Sequence, residues 1–134
     1  MKFRSAVLLV FALSASIGRA STSSYAHIIA ERDSVLSEIV TYHERQRSSG
    51  TANEESIAAA QLKLYSFRRD VASTLVEKIR NQELIVRLFE ENLKLIVFKR
   101  EAGLAGGIQI LEAKAALLEA KQTLEELRMG EKKS

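Results

Sequence analysis

Beyond residue 22 the apolar positions recur at intervals of three and four, and nowhere do they alternate at period two, so the pattern specifies helices and no strands. Tyr25, Ile28, Ile29, Val35, Leu36, Ile39 and Val40 form one stripe and predict a first helix over residues 23–47, with Ser23 or Ser24 as its cap. The run Ser48-Ser49-Gly50-Thr51 ends it. Asn53 suits the start of a second helix, because its side chain can cap and the following Glu54 and Glu55 meet the positive end of the helix dipole. The second stripe runs Ile57, Ala60, Leu64, Phe67, Val71, Leu75, Ile79, Gln82, Val86, Phe89, Leu93 and Ile96, with no glycine or proline before Gly103. It predicts one helix over residues 53–101, which at 1.5 Å per residue is a rod of roughly 70 Å. A third helix, over residues 108–129, carries Ile110, Ala113, Leu117, Ala120, Leu124 and Leu127 as a heptad seam in which small alanines alternate with leucines and permit close helix approach.

These three helices predict an all-α fold of elongated, antiparallel, coiled-coil-like hairpins around one long central helix. The first helix lies against the first half of the central one and the third against its second half, so the two glycine turns sit at opposite ends. Such a rod leaves Leu62, Val76, Ile85, Leu88 and Val97 on the flank of the central helix uncovered, which calls for self-association through helices or a protein partner. Gln82 interrupts the apolar stripe, either to fix register or to mark a loose junction.

The first twenty residues have a different character. Lys2 and Arg4 form a basic start, residues 6–15 an apolar run, and Gly18-Arg19-Ala20 a small-x-small cleavage site, the pattern of a secretory signal peptide over residues 1–20. An apolar run of this length is short for a membrane span, which needs roughly 20 residues. The mature helical-hairpin domain is then 21–134, exported to the periplasm or cell envelope. Removing Lys2, Arg4 and Arg19 lowers Lys plus Arg from 20 to 17, equal to the 17 acidic residues, so the mature chain is formally neutral. A neutral, exported chain has no basic stripe with which to displace phosphate counterions, and no nucleic acid is expected as partner. With no cysteine there is no disulfide or thiol chemistry, and stability rests on helix packing.

The two turns are alike at an offset of 53 residues, which pairs Arg47 with Arg100, Gly50 with Gly103, Ala52 with Ala105, Ile57 with Ile110, Ala60 with Ala113 and Leu64 with Leu117. Two helical hairpins share a glycine and a heptad register in any case; a duplicated hairpin is the sharper alternative. The segment Val97-Phe98-Lys99-Arg100-Glu101-Ala102-Gly103-Leu104-Ala105, followed by Ile110 through Ala120, resembles the hairpin tip of the TolC-like outer-membrane efflux protein family. In that pattern a basic or aromatic approach leads to a tip glycine, then an alanine, a leucine and an alanine at the places of Ala113, Leu117 and Ala120, and the earlier copy supplies Gly50, Ala60 and Leu64. The resemblance covers about residues 40–128. It departs from the family at the position six after each glycine, where a frequent acidic residue is replaced by Gln109 and Ser56, and in having no alternating strand segments.

Other candidate chemistry is sparse. His27 and Glu31 are the only pair at metal-ligand spacing, and two ligands do not make a site. Glu54-Glu55, Glu90-Glu91 and Glu125-Glu126 are adjacent in sequence, hence about 100° apart on a helix, and cannot share a proton. The glycines at 103–107 lack the preceding strand and following lysine of a phosphate loop. No catalytic residue, cofactor, metal site or small-molecule substrate is expected, and the chain does not read as an enzyme. The candidate contact residues are those of the hairpin tips, Arg47, Gly50, Arg100, Gly103 and Leu104. The expected function is an envelope scaffold or interaction module resembling part of an efflux component, with a possible place in an envelope transport complex; the alternative is a small periplasmic holdase-type chaperone. N-terminal sequencing of the protein recovered from the cell envelope should return Ser21 as the first residue, and recovery of Met1 would contradict the processing.

Overall fold

The computed structural model describes residues 4–51 and 53–133, with side chains described from residue 23 onward. The side chains of the leader and its cleavage site therefore lie outside the described residues, as does Ala52. Among the described residues there are four α-helices and no strand: α1 (Arg4–Ser48), α2 (Glu54–Val71), α3 (Leu75–Glu101) and α4 (Gly107–Lys132). None of them is long and apolar enough to cross a membrane. The chain divides into two units, residues 1–35 and 36–134, and the packed array of helices belongs to the second.

The single central helix expected over residues 53–101 is instead two helices. Ala72 leaves the helical region, with φ −60° and ψ 133°, and Thr74 caps a new helix by accepting a hydrogen bond from the Glu77 amide at 3.2 Å. Thr74-Leu75-Val76-Glu77 carries the S/T-x-x-E spacing of a helix start, and this is the signal that the unbroken stripe conceals. Val71 and Leu75 are four apart, so the apolar ladder stays in phase across the break. The chain reverses there, and α2 packs antiparallel on α3: Glu55 at the start of α2 is 3.7 Å from Lys99 at the end of α3, while Arg69 at the end of α2 donates to Gln82 near the start of α3 at 2.8 Å. The reason is burial. A continuous rod exposes both flanks of a long helix, whereas reversal lets α2 supply the cover that the rod lacks. Ile85 is thus 3% exposed and Leu62 packs against the core, so neither is left for a partner; Val76 and Val97 do remain exposed.

In space α3 lies between α2 and α4 and packs on both. Ile85 and Val86 of α3 meet Leu117, Ala120 and Leu124 of α4, with Leu62, Tyr65 and Phe89 closing around them. A second cluster joins Ala60 and Leu64 of α2 to Val40 of α1, with Leu36 and Tyr65 at its edge. Tyr65 belongs to both and links them. The seam expected on α4 is buried from Ile110 to Leu124. The stripe expected on α1 is not: Tyr25, Ile28, Val35 and Ile39 are exposed, and Val40 is the buried member. The last turns of α2 reach Ser37, which accepts from Arg68 at 3.0 Å.

Gln82 is 1% exposed and is the buried polar side chain of the core. Its amide donates to the Ala120 carbonyl at 2.9 Å, and its oxygen accepts from Arg69, so one side chain ties α2, α3 and α4 together. The alanine matters, because only a methyl group stands between the α3 side chain and the α4 backbone. Of the two roles open to Gln82, register fixing is the one its bonds serve, and no buried side-chain polar atom among the described residues lacks a partner. Gln82→Ala removes both bonds and leaves the buried Ala120 carbonyl without its side-chain donor, while Arg69 keeps its pair with Asp70, so it should destabilise the fold by about 2 kcal/mol. The check is a lower urea midpoint with an unchanged slope; an unchanged midpoint would remove Gln82 from its bridging role.

Candidate functional site

Each hairpin tip is built the same way. Gly50 and Gly103 have φ of 75° and 76°, the left-handed region that a glycine adopts without steric cost. At the first tip the Gly50 amide donates to the Arg47 carbonyl and the Thr51 amide to the Gln46 carbonyl, both at 3.0 Å. At the second, the Gly103 amide donates to the Arg100 carbonyl at 2.9 Å and the Leu104 amide to the Lys99 carbonyl at 2.7 Å. Donors and acceptors all correspond at the 53-residue offset, and so do the helix ends Ser48 and Glu101 and the following caps Asn53 and Gly106. Inside the hairpins the paired positions are buried alike: Ile57 with Ile110, Ala60 with Ala113, Leu64 with Leu117.

The caps differ in means. Asn53 accepts from the Glu55 amide at 3.0 Å. Gly106 has no side chain to offer, and Gln109 instead reaches back to accept from the Gly106 amide at 3.0 Å. The position six after the tip glycine is the third residue of the next helix, where an acceptor can bond to the cap amide; the Gln109 amide oxygen serves in place of a carboxylate.

Because α2 folds back on α3, both tips stand at one end of the 36–134 unit, which corrects the expectation of opposite ends. The Lys99–Glu55 ion pair joins the two hairpins there. An open groove beside it is bordered by Arg47, Ile57, Leu88 and Glu91, and a second by Glu55, Lys99, Leu104 and Gln109. Arg47 pairs with Glu54 across its own tip, and that hydrogen bond, with the nearby carboxylates of Glu44 and Glu91, raises its pKa above the ordinary guanidinium value. Arg47 is thus committed to its own hairpin, whereas Arg100 and Leu104 face solvent, Leu104 at 77% exposure. Ion pairs this exposed order side chains more than they stabilise the fold. Glu55 belongs to the tip surface and escaped the sequence reading, since only the fold-back brings it beside Lys99; Phe98 and Lys99 of the quoted tip segment stand there too, Phe98 at 67% exposure.

Elsewhere, His27 Nδ1 is 4.0 Å from Glu31 with both side chains exposed, and the His43 ring meets the edge of Tyr42. Among the described residues no three His, Cys, Asp or Glu side chains converge on a point that could hold a metal ion. Comparison with known proteins finds no matching family model, no matching curated protein and no matching solved structure.

The geometry separates two neighbouring positions at the tip. A Cβ at Gly103 meets open space, so the penalty for Gly103→Val comes from the backbone alone and should be about 1–2 kcal/mol. Leu104→Ser removes an exposed group and should leave thermal stability nearly unchanged. Equal losses from both would mean that the Leu104 side chain packs in solution.

Proposed function

We propose that this protein is an exported cell-envelope scaffold that acts through its paired hairpin tips, a transport-associated module resembling the hairpin portion of TolC-like outer-membrane components. The observation that carries the reading is the juxtaposition of two tips of the same construction at one end of the fold. Tips at one end of the fold can engage a second set of hairpins together, and two linked contacts bind far more strongly than either alone. Phe98 and Leu104 offer exposed apolar anchors beside the basic Arg100, the combination that partner-facing surfaces favour. The leader sequence supports the envelope location. The candidate residues divide accordingly: Gly50 and Gly103 shape the tips, Arg47 braces one of them, and Arg100 and Leu104 face the partner.

Holdase-type chaperone activity is the second reading, favoured by the apolar side chains exposed on α1 and α4. The two separate on where crosslinks form. With a photocrosslinker at Phe98, a tip-docking module should give one discrete adduct in the native envelope, and Leu104→Ser should weaken it several-fold. A smear of many adducts, unaffected by Leu104→Ser, would favour the chaperone and remove tip docking.

A further inference from the structure

Helix α4 carries two apolar stripes. Ile110, Ala113, Leu117, Ala120 and Leu124 are buried against the rest of the fold. Ile108, Leu111 and Leu118 are exposed at 64%, 61% and 66%, and the exposed Ala115 stands between them, so these four recur at three, four and three. At about 100° per residue the second stripe lies on the opposite side of the helix from the first. It is a heptad seam with nothing on it.

The charges beside the seam say what covers it. Lys114 flanks it on one side, Glu112 and Glu119 on the other, and among the described residues none of these three makes an ion pair within its own chain. In a parallel pair of helices, the flank before one seam position faces the opposite flank of the partner five residues on, which sets Lys114 against Glu119 of a second copy. In an antiparallel pair, like flanks meet, lysine against lysine and glutamate against glutamate, which disfavours that arrangement. We infer that α4 forms a parallel two-stranded coil with α4 of a second copy of this chain, closed by Leu111 and Leu118 at the seam and by reciprocal Lys114–Glu119 pairs. The interface is isologous, so a single two-fold axis generates both pairs. The seam lies on the side of α4 opposite its buried stripe, so pairing there leaves the α3–α4 packing in place. Gln122 takes the next seam position and Glu125 the one after, which ends the coil and sets its register. The inference rests on the proposed role only in taking the helix faces as working surfaces; it requires neither export nor docking at the tips.

Sedimentation equilibrium of the purified chain should show a concentration-dependent monomer–dimer equilibrium. Lys114→Glu and Glu119→Lys should each raise the dissociation constant about fivefold, and the double exchange should restore it. Leu111→Glu should give a monomer with an unchanged circular dichroism spectrum. The chain has no cysteine, so Leu111→Cys is a clean register probe: in the parallel coil position 111 faces itself, and mild oxidation should yield a disulfide dimer, while Glu38→Cys on α1 should not. A wild-type chain that stays monomeric, a dimer indifferent to the charge reversals, or crosslinking in the envelope from position 111 to a different protein alone would each overturn the inference. None of these outcomes bears on N-terminal processing or on Leu104, so failure here is distinguishable from failure of the proposed function.

Discussion

Because Ala72 turns out of the helical region and Thr74 starts a new helix, α2 and α3 run antiparallel, and the arrangement of the whole 36–134 unit follows from that reversal. With residues 72–74 helical, Lys99 and Glu55 would stand far apart, the Ile85 cluster would lose the cover of Leu62 and Tyr65, and Gln82 would have no Arg69 to accept from. The reversal holds because several independent interactions agree on it: a threonine cap, apolar burial on the flank of α3, and a buried amide bonded to both neighbouring helices. Agreement of local and long-range terms is what selects one packing among several compatible with the same stripe.

Gln82 shows why a polar residue belongs at such a place. Apolar seams at three-four spacing are tolerant of sliding, since one leucine resembles the next a heptad on. An amide that must meet one carbonyl on α4 and one guanidinium on α2 is not tolerant, because displacement by a turn leaves a buried donor unsatisfied. The alanine at position 120 completes the arrangement by letting the α4 backbone come within 2.9 Å of the amide nitrogen.

The division of labour among charged residues is equally local. Arg47, Lys99, Lys121 and Arg128 are engaged within the unit, with Glu54, Glu55, Glu90 and Glu83, and they brace neighbouring helices at their exposed edges. Hydrogen bonds to Glu125 and Glu83 raise the Arg128 pKa, as Glu54 does for Arg47. Lys114, Glu112 and Glu119 stand outside this set: Lys114 lies one heptad before Lys121 on the same edge of α4, and Glu112 and Glu119 lie on the other. The edge that carries Lys114, Lys121 and Arg128 is therefore neutralised from within only along the second half of α4.

Much of this was legible in the sequence. The all-helical class, the two glycine turns with left-handed Gly50 and Gly103, the buried seam of α4 and the 53-residue correspondence between the hairpins follow from periodicity and backbone sterics, which act over a few residues and are written in a few residues. The start of α3 was written there too, in Thr74-x-x-Glu77, but was hidden by a stripe that continues in phase through Val71 and Leu75. What the tertiary structure alone decided is that residues 53–101 fold back, that both tips share one end, and that Leu62 and Ile85 are covered while Val76 and Val97, the outer side of α4 and part of α1 stay exposed. The physical reason is that a three-four stripe states which side of a helix is apolar without stating which other helix will cover it. That choice is made by competition for burial among all the helices at once, and it depends on where the chain can turn and on which buried polar group finds its partners.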